Sequence, residues 1–140
     1  MMVFAVDNRI LATSIWLSDS CLSSVYIKND ANFPWFILVP RIPDVEEIYQ
    51  LSAKQQKLLM EEIAHLSRII SDACNPDKLN IGALGNIVSQ LHVHVIARFK
   101  KDIAWPNGVW HPSTLAVPYS QKELDALVEF WLPRLTEIGV

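Results

Sequence analysis

The sequence predicts an α+β fold, a mainly antiparallel five-stranded sheet carrying one long helix and a C-terminal helix. Three observations lead there. Short β-branched and aromatic runs fill the N-terminal part of the chain, one long stretch of helical periodicity begins at Ser52, and strand character returns from Leu79 before a closing amphipathic segment. At 140 residues the chain is read as one domain, 1–140, with room for one sizeable core but not for two.

The elements follow in order. SIWLSDS (14–20) and SSVYIK (23–28) read as two antiparallel strands, and NDANF (29–33) is turn chemistry. PWFILVPR (34–41) is a continuous apolar run bracketed by prolines, which predicts a central strand buried on both faces, because Pro40 and Pro43 leave no room for a helix. RIPDVEEIYQL gives at most a short helical turn. SAKQ then forms a capping box, Ser52 as N-cap and Gln55 three residues on. Leu58, Leu59, Ile63, Leu66, Ile69 and Ile70 follow at helical spacing, predicting one long helix that ends near CNPD. His65 falls beside that stripe and is expected at the surface or its boundary. LNIGAL (79–84) and LHVHVIARF (91–99) read as two strands of a hairpin, with Gly85-Asn86 in an extended connection. A proline-rich loop carrying Trp105 and Trp110 comes next, the two tryptophans read as loop anchors. QKELDALVEFWLPRLTEI (121–138) closes the chain as an amphipathic helix, shortened or kinked by Pro133.

Composition excludes several classes of function. No run approaches the roughly 18 to 20 apolar residues that cross a bilayer. MMVFAVDNR lacks a basic lead and is interrupted by Asp7 and Arg9, so no signal peptide is expected, and a soluble cytoplasmic protein without a membrane partner is. A net charge of −3 without a Lys/Arg run gives no footprint for long DNA or RNA. An anionic ligand must then be met by a local pocket. Cys21 and Cys74 form no CxxC arrangement, which argues against a disulfide framework or a thiolate metal site; both are expected as buried thiols.

QLHVHVIAR (90–98) carries the chemistry. Side chains alternate across a strand, so Gln90, His92 and His94 point to one face and Leu91, Val93 and Val95 to the other. Imidazoles on a half-buried face need partners. Neighbours that merely satisfy them would be one answer. A metal ion would be another, but zinc or iron needs a third ligand, and neither His65 nor His111 stands at ligand spacing. The third is a nucleophilic histidine whose neighbours hold its tautomer and charge.

The same stretch resembles the motif of the histidine triad (HIT) superfamily, His-φ-His-φ-His-φ-φ with φ apolar, in which the middle histidine takes up a nucleotide from a substrate phosphate. Gln90, His92 and His94 occupy the three triad places, Val95-Ile96 supply the trailing φφ, and Arg98 fits the same register. FPWFILVPR is similar to the family's strand before its long helix, and PDKLNIGALGNIVSQLHVHVIARFKKDIAWPNGVW to a bacterial subgroup in which Gln replaces the first histidine. Nearly the whole chain takes part in the resemblance.

What it implies is a homodimeric enzyme of HIT-like fold acting on a small nucleotide substrate, a dinucleoside polyphosphate or a nucleoside phosphoramidate, with no cofactor. A catalytically weak or inactive nucleotide-binding module is the alternative. His92 would be the nucleophile, with a backbone carbonyl near the first triad position holding the proton of its far nitrogen. His94 would donate to phosphate oxygens, as would main-chain amides at Gly85 and Asn86. Ser89, Asn29 or Asp30 at the place of a ribose contact, and Arg98 complete the implied substrate contacts. There are two departures. Gln90 can donate a hydrogen bond but cannot shuttle a proton. Ile87 stands where many relatives carry a Ser or Thr that contacts the scissile oxygen.

Overall fold

The computed structural model describes residues 3–136. Residues 137 and 138, the end of the expected closing helix, lie outside them. A six-residue helix α1 (Asn8–Thr13) leads into β1 (Ser14–Asp19), β2 (Ser23–Lys28) and β3 (Trp35–Pro40). A 3-10 turn at Ile48–Gln50 and the long helix α2 (Ala53–Cys74) follow, then β4 (Lys78–Gly82), β5 (Val93–Arg98) and α3 (Gln121–Leu135). Every strand pairing is antiparallel, and the sheet order is β1-β2-β3-β5-β4. The expected α+β architecture is the one observed. No helix among the described residues is long and apolar enough to cross a membrane.

The local signals act as their chemistry dictates. Ser52 accepts from the Gln55 N–H while the Gln55 side chain returns to the Ser52 N–H, and Asn75 ends α2 in the left-handed region. Ser120 and Glu123 form the same box at the start of α3. Pro133 does not stop α3, which continues two residues further to Leu135. In the last turn the missing proline N–H forfeits only one intrahelical bond.

Alternation divides the sheet into two apolar layers. Val25, Ile27, Phe36, Leu38, Val93, Val95 and Ala97 pack against Leu59, Ile63, Leu66 and Ile70 of α2 and Trp131 and Leu135 of α3. Each such fully buried side chain contributes on the order of 1.5–3 kcal/mol. The opposite face carries Tyr26, Trp35, Ile37, Val39 and Ile96, covered by Ile10 of α1, Phe33, and Ala104 and Val109 of the long loop. The face that carries the histidines therefore has a second core, and they stand at its edge. β5 is shorter than the predicted run because Leu91 donates its N–H to the Val45 carbonyl at 2.9 Å, drawing the chain away from the ladder before Val93.

Candidate active site

His92 immediately precedes β5 and His94 lies within it, opposite Gly82 of β4 and Ile37 of β3. Both are largely buried, and their ring centroids are 4.9 Å apart. The His92 Nδ1 lies 2.6 Å from the Gln90 carbonyl oxygen. A carbonyl can only accept, so the proton sits on Nδ1 and the neutral ring keeps its lone pair on Nε2. This is the tautomer a nucleophilic imidazole requires.

His94 is held the opposite way round. The indole Nε1–H of Trp35, a donor only, points at His94 Nδ1 from 2.9 Å. Nδ1 is thus the acceptor, and the one ring proton is on Nε2. Burial, with the neighbouring His92 and the Lys28 ammonium adding repulsion, presses the His94 pKa down to about 3. The result is a neutral ring that offers an N–H rather than a charge. Trp110, half-exposed, lies edge-on to His94 at 4.9 Å and to Trp35 at 5.6 Å.

Gln90 shares the site without facing it as a free group. Its amide donates to the Ala5 carbonyl and accepts from the Asp7 N–H, both at 2.8 Å, across more than eighty residues of sequence. A carboxamide presents a donor and an acceptor side by side, the pattern of one edge of a β ladder, and the N-terminal segment docks on it. Asp7 also caps α1 by accepting from the Arg9 N–H. The Arg9 guanidinium grips the Asp7 carboxylate twice and donates to the Ile87 carbonyl at 3.0 Å. Those hydrogen bonds hold the Asp7 carboxyl down at about 2.

Between β4 and the histidines the chain turns through Gly85, whose φ of +78° suits glycine, and then Asn86 and Ser89, both exposed. Among the described residues, the N–H groups of Asn86 to Ser89 meet no partner in the chain, so they stand ready as donors. Ile87 is 83% exposed, and its carbonyl accepts from Arg9 of the N-terminal segment. A cavity of about 210 Å³ runs along this loop, bounded by Glu46, Glu47, Tyr49, Leu84, Gly85 and His92.

Some expected contacts are not brought together. Arg98 is 1% exposed, not available to a ligand: it pairs with Asp102 through two nitrogens and also donates to Asn80 and the Asn107 carbonyl. It is the anchor of the long loop, and β5 carries it inward because parity aims it at the second core. Asn29 accepts from the Tyr119 N–H, and Asp30 from Asn32 and Val117. The 29–32 turn is thereby knitted to residues 115–119, and neither Asn29 nor Asp30 lines the cavity. Cys21 is exposed at the β1–β2 turn and Cys74 half-buried at the end of α2, so neither is the buried thiol expected. Trp105 is half-buried beside the Arg98 guanidinium, the loop anchor it was read as. His65 and His111 are exposed. No group of three or more His, Cys, Asp or Glu among the described residues is arranged to hold a metal ion.

With this geometry in place, comparison with known families is decisive: the HIT domain matches residues 12–101. The chain belongs to the HIT family. A histidine triad protein from Bradyrhizobium japonicum is 42% identical, with a TM-score of 0.86 over 91% of this chain and 94% of that one. One from Marinobacter aquaeolei VT8 is 37% identical with a TM-score of 0.94, covering 98% and 99%. A third, from Sinorhizobium meliloti 1021, is 36% identical with a TM-score of 0.87, covering 96% of each. Comparison with curated proteins gave no match. HIT-domain proteins are nucleotide-binding hydrolases and transferases, some of them inactive.

Within this HIT chain, sequence reading missed two parts of the site. Trp35 was read only as a member of a buried strand, and its pairing with His94 needs the β3–β5 register to be seen. The N-terminal strap was weighed only as a leader. Asp7 ahead of NRILAT is a capping signal that marks the start of α1.

Proposed function

We propose that this protein cleaves a nucleoside phosphate derivative, a dinucleoside polyphosphate or a nucleoside phosphoramidate, through a covalent nucleotide on His92. The observation that carries this reading is the bond between His92 Nδ1 and the Gln90 carbonyl, which leaves Nε2 unprotonated for attack on phosphorus. His94 donates its Nε2–H to a phosphate oxygen, and the free amides of Asn86 to Ser89 receive the others. Gly85 shapes that loop; Asn86 and Ser89 are its substrate-facing side chains. The protein works without a cofactor, in the cytoplasm, as a homodimer.

The test is incubation with mass-tagged adenylated substrates followed by mapping of the acid-labile adduct. An adduct on His92 is expected. An adduct on His94, or none with any nucleotide while the fold is intact, would sink the reading. Gln90 and Ile87 favour a second one, a nucleotide-binding module that lost turnover. Calorimetry with AMP and diadenosine tetraphosphate beside a turnover assay separates the two, micromolar binding without product favouring the module.

A further inference from the structure

Breaking a bond to a poor leaving group needs a proton delivered to the departing atom, so each group beside His92 can be asked whether it has one to give. The Gln90 side chain has none, because an amide does not titrate and both of its ends are engaged by Ala5 and Asp7. His94 has a proton on Nε2, but giving it up would leave an imidazolate, since the Trp35 indole N–H already occupies Nδ1 as donor. A cationic His94, which could give a proton and remain neutral, is opposed by the same indole N–H. The charged and titratable groups facing it add to this: His92 at 4.9 Å between ring centroids, and the Lys28 ammonium, which lies over the Trp35 ring and donates to Thr13. The depressed pKa of His94 agrees with that arrangement. The His92 Nδ1 proton is directed to the Gln90 carbonyl, away from Nε2.

We infer that the row of Gln90, His92 and His94 supplies no acid, that Trp35 is the positioning residue responsible for this at His94, and that the substrates are nucleoside phosphoanhydrides rather than phosphoramidates. The inference rests on the proposed covalent nucleotide at His92. His92 Nε2 attacks the nucleotide's α-phosphorus while the bond to the leaving oxygen breaks, and the electron pair departs on a phosphate or polyphosphate, stable as an anion. Water then attacks the same phosphorus, the N–P bond returns its pair to His92, and the water proton passes to solvent. An alkylamine of a phosphoramidate would have to leave as an amide anion, which that row cannot neutralise.

The test is single-turnover formation of the His92 adduct from adenosine 5′-aryl phosphates whose phenols span a range of acidity, beside diadenosine tetraphosphate and an adenosine alkylphosphoramidate. Without acid assistance the rate should fall about tenfold for each unit of leaving-group pKa, and the phosphoramidate should react far more slowly than diadenosine tetraphosphate. Trp35→Phe, which removes the indole N–H and keeps an aromatic ring, should flatten the slope and add a pH dependence to the rates of the poor leaving groups. A shallow slope in the unmodified protein would overturn the inference while leaving the covalent mechanism intact. So would a slope that steepens in Glu46→Gln or Glu47→Gln, since it would assign the proton to a cavity carboxyl. No adduct even from the 4-nitrophenyl ester, the easiest leaving group, would overturn the covalent mechanism and this inference together.

Discussion

His92 and His94 are two residues apart and chemically unlike. One is fixed with its proton on Nδ1 by a backbone carbonyl, the other with its proton on Nε2 by an indole. His92→Ala should therefore abolish nearly all turnover and leave nucleotide affinity within a few fold, because it deletes the atom that bonds to phosphorus and little of the binding surface. His94→Ala should lower both, since it removes a phosphate donor; steady-state kinetics with calorimetry reads the split. His94 also links stability to pH. Its pKa falls from 6.5 to about 3 on folding, so the unfolded chain binds the extra proton between those values and stability declines as pH drops through that window. Asp7, held down from 3.8 to about 2, adds its own loss in the lower window between those two values. Urea midpoints measured from pH 7 to pH 4 should fall for the native protein and fall less for His94→Gln.

Gln90 exerts its effect through an element rather than an atom. The N-terminal strap is tied to the phosphate loop by the Gln90 amide and by Arg9, so substitution at 90 loosens a segment as well as altering a triad place. Gln90→Ala should speed amide exchange at Asp7 about tenfold, the equivalent of losing one or two hydrogen bonds of about 1 kcal/mol each. Unchanged exchange in that variant would show that the strap is held elsewhere. Gln90→His would test proton supply and release the strap at once, so its rates need the exchange data beside them. A second tie joins α2 to the β1–β2 turn: buried Glu62 accepts from the Ser20 hydroxyl and from the Leu22 and Ser23 N–H groups. Glu62→Ala leaves these without an acceptor and should cost roughly 2–4 kcal/mol in urea unfolding.

The two edges of the whole sheet are not equivalent. β1 is broken by a register shift between Trp16 and Ser18, which spoils a pairing surface, whereas β4 presents a regular edge with Ile81 and, just beyond it, Leu84 exposed. The proposed homodimer would join β4 edges of two copies into one antiparallel sheet. Sedimentation or light scattering at micromolar concentration should give a dimer, and Ile81→Lys should shift it toward monomer. A stable monomer of the native chain would rule the dimer out.

The sequence by itself determined what local chemistry determines. The capping box at Ser52, the helical stripe from Leu58 to Ile70, the doubly buried β3 and the shared parity of Gln90, His92 and His94 are all written in adjacent residues. The carbonyl that holds His92 lies only two residues before it, and so was legible once the family resemblance was seen. Contacts between distant segments were decided only by the tertiary structure. Arg98 has the parity of a ligand-facing residue, yet Asn80 of β4 meets it, and Asp102 and Asn107 converge on it because the long loop folds back over that face. Trp35 meets His94 through a strand register, and Gln90 meets Ala5 and Asp7 across the length of the chain. A side chain's periodicity gives the direction in which it points; what it meets there depends on which other segment packs against that face, and no local pattern encodes that.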